Sequence, residues 1–286
     1  WLKPCSGSAS LSHRKPESCY GMLLDYSAPA VSQTPAQPGA GDLPCDAEPP
    51  TEESTPSTTD LSGNNSEADF SDEEDYQDVT MNFAQEDTII IFDWDDTILP
   101  STWMLREHLT LDGNSMPTCE QSAQLEALAR RAARTLRCAK RLGSVVVVTN
   151  AERGWIELSC HKFMPSLCPL LESLKIVSAR SAYEPQGVTS PVDWKCKAFE
   201  SECSAFYGAD SAGRRRNVLS LGDSVNERSA LIRVTKDMAN CCTKSLKFME
   251  QPDVVQLQRE HELISQCFHR IVSHQGDLDL RVQISP

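Results

Sequence analysis

Thr88-Ile89-Ile90-Ile91-Phe92 runs directly into Asp93-Trp94-Asp95-Asp96-Thr97. Five consecutive residues that are apolar on both faces suit a strand covered on both sides, as in the middle of a parallel sheet. The carboxylates that follow mark its C-terminal end, and open α/β sheets bind ligands along that edge. Further short apolar runs lie downstream: Ser144–Val148, Leu174–Val177, Asn217–Leu221 and Ser245–Met249. Longer amphipathic stretches separate them, which is the pattern of βαβ units. The expected fold is α/β, a Rossmann-like three-layer sandwich with a mainly parallel sheet.

The clearest helix spans Cys119 to Leu142, with Thr118 and Gln121 as a capping box and Gly143 as its close. Leu125, Leu128, Ala132, Leu136 and Ala139 form its apolar stripe, and Arg130, Arg134, Arg137 and Arg141 the opposite one. That basic face is either simply solvated or an attractor for an acidic segment. A second helix is expected near Trp155 to Leu167. A terminal helix is read from Val254, Leu257, Ile264, Phe268 and Ile271 and is expected to pack on the sheet. His261, His269 and His274 fall in or near that helix and read as structural or surface residues.

The chain has 286 residues and a net charge of −14. Residues 1–87 carry 17 Asp and Glu against 3 Lys and Arg, whereas residues 88–286 carry 24 of each. The first stretch also holds 9 of the 17 prolines. It reads as a disordered acidic Pro/Ser/Thr-rich tail, unable to bury enough apolar surface to offset its ordering entropy. Residues 88–286 read as one folded domain. Ser66 and Ser71 each precede an acidic residue by three positions, as acidophilic kinases favour. The tail's expected contacts are solvent, the basic face between Arg130 and Arg141, or a basic partner.

An acidic tail on a neutral domain argues against duplex nucleic acid as the ligand. No apolar run approaches the roughly 18 residues of a membrane span. The twelve cysteines show no CxxC pair or Cys/His ligand spacing, so they read as reduced thiols of a cytoplasmic or nuclear protein. The first residue is Trp1 rather than Met, so the natural N-terminus is expected further upstream and no targeting signal is read.

Three strand ends supply polar groups to one edge. Alternation sends Asp93 and Asp95 to the same side. Such close carboxylates need a cation, hydrogen-bond donors or a shared proton, and both arrangements suit phosphoryl transfer. An Asp in this position also commonly caps a helix. Thr149 ends the second strand and, with Asn150 after it, offers donors for a phosphate oxygen. Gly222-Asp223 ends the fourth, with Asp223 placed as a magnesium ligand. Glu227 either orients a metal-bound water or pairs with a neighbour such as Arg228. Lys195 or Lys197, before the fourth strand, would neutralise a phosphoryl group and hold Asp93 ionised.

Asp93-x-Asp95-x-Thr97, Thr149, a lysine and Gly222-Asp223-xxx-Glu227, in this order on these elements, resemble the haloacid dehalogenase (HAD) superfamily. The likeness covers about Thr88 to Met249. It implies a Mg²⁺-dependent phosphatase in which Asp93 is the nucleophile, forming an aspartyl-phosphate, and Asp95 the general acid and base. Asp93, the Asp95 backbone carbonyl and Asp223, with Glu227, would hold the metal. Thr149, Asn150 and Lys195 would bind the phosphoryl group. Glu227 stands where many members have Asp.

Neither the interval from Ile98 to Ser144 nor that from Asn150 to Trp194 has room for a large cap domain. An open site favours a phosphoprotein or another large phosphoester as substrate. The alternatives are a non-catalytic HAD-like module that binds a phosphorylated or metal-bearing partner, and a phosphotransferase with an acceptor other than water.

Overall fold

The computed structural model describes residues 2–4, 82–208 and 213–284. The acidic patch around Ser66 and Ser71 lies outside them. Seven strands form one sheet: β1 (Leu2–Pro4), β2 (Thr88–Phe92), β3 (Ser144–Thr149), β4 (Lys175–Ser178), β5 (Arg216–Gly222), β6 (Cys241–Lys247) and β7 (Leu278–Val282). Their order is β1-β7-β6-β5-β2-β3-β4. Six of them, β7 through β4, run parallel, and β1 pairs antiparallel with β7 at the edge.

β2 has side chains buried on both faces, as its sequence requires. Ile90 and Phe92 enter one core with residues of α2 (Cys119–Leu142), α3 (Trp155–Phe163) and α8 (Val254–Ser273). Ile89 and Ile91 enter the other, with α5 (Ala179–Tyr183), α6 (Pro191–Tyr207) and α7 (Val225–Thr235). Helices therefore cover both sides of the sheet, as in Rossmann-like folds. Short helices α1 (Ser101–Arg106) and α4 (Cys168–Leu171) complete the set. No helix among the described residues is long and apolar enough to cross a membrane.

Helix α2 begins as its sequence predicts: Gln121 N–H donates to Thr118 Oγ1 at 3.1 Å, and Thr118 N–H to Gln121 Oε1 at 2.9 Å. Gly143 then lies so close to β2 that a Cβ there would sit 2.7 Å from Thr88 Cγ2 and from the Thr88 carbonyl oxygen.

Several expectations need correction. Residues 2–4 and 82–87 were grouped with the disordered tail, yet both belong to the domain. Leu2–Pro4 supplies β7 with an edge partner. Phe83 is buried, and Arg214 Nε reaches Asp87 Oδ1 at 2.6 Å. The helix expected over Trp155–Leu167 stops at Phe163, because Pro165 lacks an N–H and disfavours helical geometry before it. The last expected strand starts earlier, at Cys241, where Cys-Cys-Thr-Lys hides the apolar pattern. β7 was not foreseen, since Leu278–Val282 alternates polar and apolar residues over only five positions. Helix α8 packs against α2 as well as the sheet.

Candidate active site

From β2 the chain winds outward through β3 and β4, then returns to β5 on the other side of β2. This reversal opens a crevice between the C-terminal ends of β2 and β5, the position where open α/β sheets bind ligands. Asp93 and Asp223 project from those ends, and Asp93 N–H donates to Leu221 O at 2.9 Å.

Lys195 reaches the crevice from α6. Ser190 caps this helix and Pro191 opens it, which puts Lys195 on the sheet-facing side and Lys197 outside. Lys195 is fully buried, with its Nζ 2.7 Å from Asp93 Oδ1 and paired also with Glu227 Oε1. Lys197 is solvent-facing and pairs with Glu200 at 3.0 Å.

Glu227 lies in the first turn of α7 and forms a capping box with Ser224. Its Oε2 accepts from Ser224 N–H at 3.0 Å and Ser224 Oγ at 2.6 Å. Both oxygens are thus engaged, one by the cap and one by Lys195. Arg228, the neighbour offered as an alternative partner for Glu227, clamps Asp279, with Nη2–Oδ2 at 2.6 Å. A Cβ on Gly222 would collide with the Glu227 side chain, so this glycine is required by close packing.

Asp95 is held by two donors, Trp155 Nε1–H at 2.9 Å on Oδ1 and Thr149 Oγ1–H at 3.3 Å on Oδ2. Thr149 was expected to present its hydroxyl to a ligand; here it donates to Asp95 and accepts from Ala151 N–H at 2.9 Å. Asn150 was placed with the phosphate donors. Its side chain turns aside, with Nδ2 donating to Pro191 O at 3.1 Å. Asp96 closes the loop, taking Thr102 N–H at 2.8 Å together with the Thr102 and Ser101 hydroxyls. Sequence alone suggests a solvated turn residue at Asp96; it is instead buried, because these donors from the start of α1 draw its carboxylate inward.

One carboxylate oxygen from each of Asp93, Asp223 and Glu227 lies within 4.8 Å of the others. Two buried acids, Asp93 and Glu227, and the half-buried Asp223 then share one lysine. Burial, eased by Lys195 but reinforced by Glu227 and Asp95, pushes Asp93 up to about 8. Burial and the charge of Asp93 push Asp223 up to about 9. Burial also raises Asp95, against the Trp155 hydrogen bond. In Glu227 burial acts upward, but the Lys195 charge and hydrogen bond overcome it and the group is lowered. Burial acts downward on Lys195, and its two carboxylate partners outweigh it, so it stays charged. Lys195 draws Asp93 toward its ionised form while burial and the neighbouring acids oppose it, and one lysine serves both Asp93 and Glu227, a deficit of positive charge in the cluster.

A divalent cation with a preference for hard oxygen donors would fill that deficit, and the donor set is all carboxylate. Asp93 and Asp223 have oxygens to offer such an ion, whereas Glu227 is already engaged. Sequence reasoning missed Trp155, Ser224 and Lys247, whose Nζ donates to Asp223 O at 2.7 Å. Ser224-x-x-Glu227 was a legible capping box; Trp155 and Lys247 carried no local signal.

The fold and site together define an α/β protein with a lysine-centred acidic cluster at the switch point of its sheet. No family model, curated protein or solved structure matches the chain.

Proposed function

We propose that this chain is a Mg²⁺-dependent phosphatase of HAD-like type, working through an aspartyl-phosphate. The observation that carries the reading is Asp93, buried between Lys195 at 2.7 Å and the carboxylates of Asp223 and Glu227. Mg²⁺, held by Asp93 and Asp223, would supply charge neutralisation for the phosphoryl oxygens and keep Asp93 ionised.

Asp93 is the nucleophile: its free oxygen forms the new bond to phosphorus as the bond to the leaving oxygen breaks. Lys195 neutralises the charge that spreads over the transferring group. Asp95 is raised by burial and is fixed by Trp155 and Thr149. It gives its proton to the leaving oxygen and then takes one from the water that attacks phosphorus, as the bond from phosphorus to the Asp93 oxygen breaks, releasing inorganic phosphate and restoring the Asp93 carboxylate. Glu227 holds Lys195 in place, a supporting role rather than direct metal ligation.

Between β2 and β5 the described residues form strands β3 and β4 of the same sheet and the helices and turns that cover it, with no separate core. Next to Thr149 lies a cavity of about 290 Å³, walled by Ile156, Ile176 and Val177 and with Arg153 at its rim. An uncapped edge of this kind favours a phosphate carried on a large molecule, such as a phosphoprotein. The test is hydrolysis of an aryl phosphate with and without Mg²⁺. Turnover is expected from the wild type with Mg²⁺ alone, and none from Asp93→Asn. Turnover without Mg²⁺, or a fully active Asp93→Asn, would overturn the mechanism.

A further inference from the structure

We propose that Cys160 and Cys168 form a redox pair, closing to a disulfide by exchange with a small disulfide such as oxidised glutathione. Cys160 is in the last turn of α3 and Cys168 opens α4, beyond the turn at Pro165. Their sulfurs lie 3.5 Å apart, with the Cys168 thiol donating to Cys160 Sγ. A disulfide needs about 2.05 Å, so closure moves the two sulfurs by only about 1.5 Å. The shift falls on the 3₁₀ turn Pro165–Leu167 that joins the two helices.

The two thiols are unequal. Cys168 is partly exposed and can meet a small disulfide, whereas Cys160 has no exposed surface. Burial raises the Cys160 thiol well above its ordinary range, so it is the slower partner. The Cys168 thiolate attacks one glutathione sulfur, breaking the glutathione S–S bond and releasing one glutathione thiol. Cys160 then loses its proton, attacks the Cys168 sulfur and expels the second glutathione. One S–S bond is broken and one formed, and the protons of both cysteines end on the two glutathione thiols.

Closure bears on the candidate site because α3 is tied to the Asp93–Thr97 loop at two points. Trp155 Nε1–H donates to Asp95 Oδ1 at 2.9 Å, and Trp94 Nε1–H donates to Ser159 Oγ at 3.1 Å. A shift at Cys160, the residue after Ser159, is transmitted to Asp95 through this helix. Its effect on turnover rests on the phosphatase reading, but the disulfide and its structural effect do not.

The test uses the full chain, treated with oxidised glutathione and mapped by peptide mass. The expected result is a Cys160–Cys168 crosslink, with loss of two hydrogens, reversed by dithiothreitol and absent in both Cys168→Ser and Cys160→Ala. The indole N–H resonance of Trp155, assigned with Trp155→Phe, should shift on oxidation of the wild type and stay fixed in Cys168→Ser. A lasting glutathione adduct on Cys168, or unmodified thiols, would overturn the pair. A crosslink that leaves the Trp155 resonance unmoved would overturn the coupling. Where the reduced protein hydrolyses an aryl phosphate, turnover should fall in proportion to the crosslinked fraction. Absence of turnover in both forms would count against the phosphatase reading alone.

Discussion

At the residue scale, the site is a problem of charge balance. Among the described residues, Lys195 is the only cation in direct contact with Asp93 and Glu227. Replacing it with Met leaves Glu227 buried beside a second acid without a counter-charge. The general cost of breaking a buried pair is about 3–5 kcal/mol. Lys195→Met should therefore unfold at markedly lower denaturant at pH 8, and the loss should shrink at pH 5, where the acids take up protons. An equal loss at both pH values would mean that packing, not charge, is what Lys195 provides. Asp223 behaves differently. Burial already favours its neutral form, so the near-isosteric Asp223→Asn should fold well. Mg²⁺ should raise the melting temperature of the wild type at pH 8, because a ligand that binds only the folded state stabilises it. That rise should vanish in Asp223→Asn. Of these residues, Asp93, Asp95, Thr149 and Asp223 were legible because each sits at a strand end marked by local pattern. Trp155 was not, since its bond to Asp95 spans 60 residues. The choice between Lys195 and Lys197 became clear only once the start of α6 was fixed.

At the element scale, the β2–β3 unit shows how much local chemistry determines. The strand Thr88–Phe92, the capped helix Cys119–Leu142 and the strand from Ser144 were all readable, because burial on both faces and a capping box are local signals. What was not readable was distance. Gly143 looks like an ordinary helix close, yet its reason lies in β2, with Thr88 atoms 2.7 Å from where its Cβ would be. Gly143→Ala should force β2 and the α2–β3 turn apart and cost about 1–3 kcal/mol, as overpacking generally does. Chemical denaturation measures this; an unchanged midpoint would show that the turn relaxes freely. β7 lay beyond local reading for the same reason. Its place is set by pairing with β6 and by the Arg228–Asp279 clamp, both contacts between distant segments.

At the scale of the whole molecule, two adjacent buried residues of α8 should shape the response of stability to pH. Burial pushes Glu260 up to about 8, although Met249 N–H donates to it. The unfolded chain gives up that proton from about pH 4.5, while the folded chain keeps it until about 8. The unfolded state thus binds fewer protons across this window, and stability falls as pH rises through it. His261 acts in the opposite sense. Burial lowers it to about 4, against its bond to the Thr97 carbonyl at 2.9 Å. Between pH 6.5 and 4 the unfolded chain takes up a proton that the folded chain refuses, so stability falls as pH drops. The two slopes offset each other between about pH 4.5 and 6.5. Above pH 6.5 the Glu260 slope, about 1.4 kcal/mol per pH unit for one proton, is no longer offset by His261, and the raised Asp93 and Asp223 add their own slopes both above and below that point. Glu260→Gln should therefore flatten the decline between pH 6.5 and 8 by one proton's worth. His261→Gln should instead steepen, by one proton's worth, the rise in stability as pH falls from 6.5 to 4.5. Denaturant titrations at half-unit pH intervals separate these outcomes. Curves for both variants that stay parallel to the wild type would place the pH response elsewhere in the molecule.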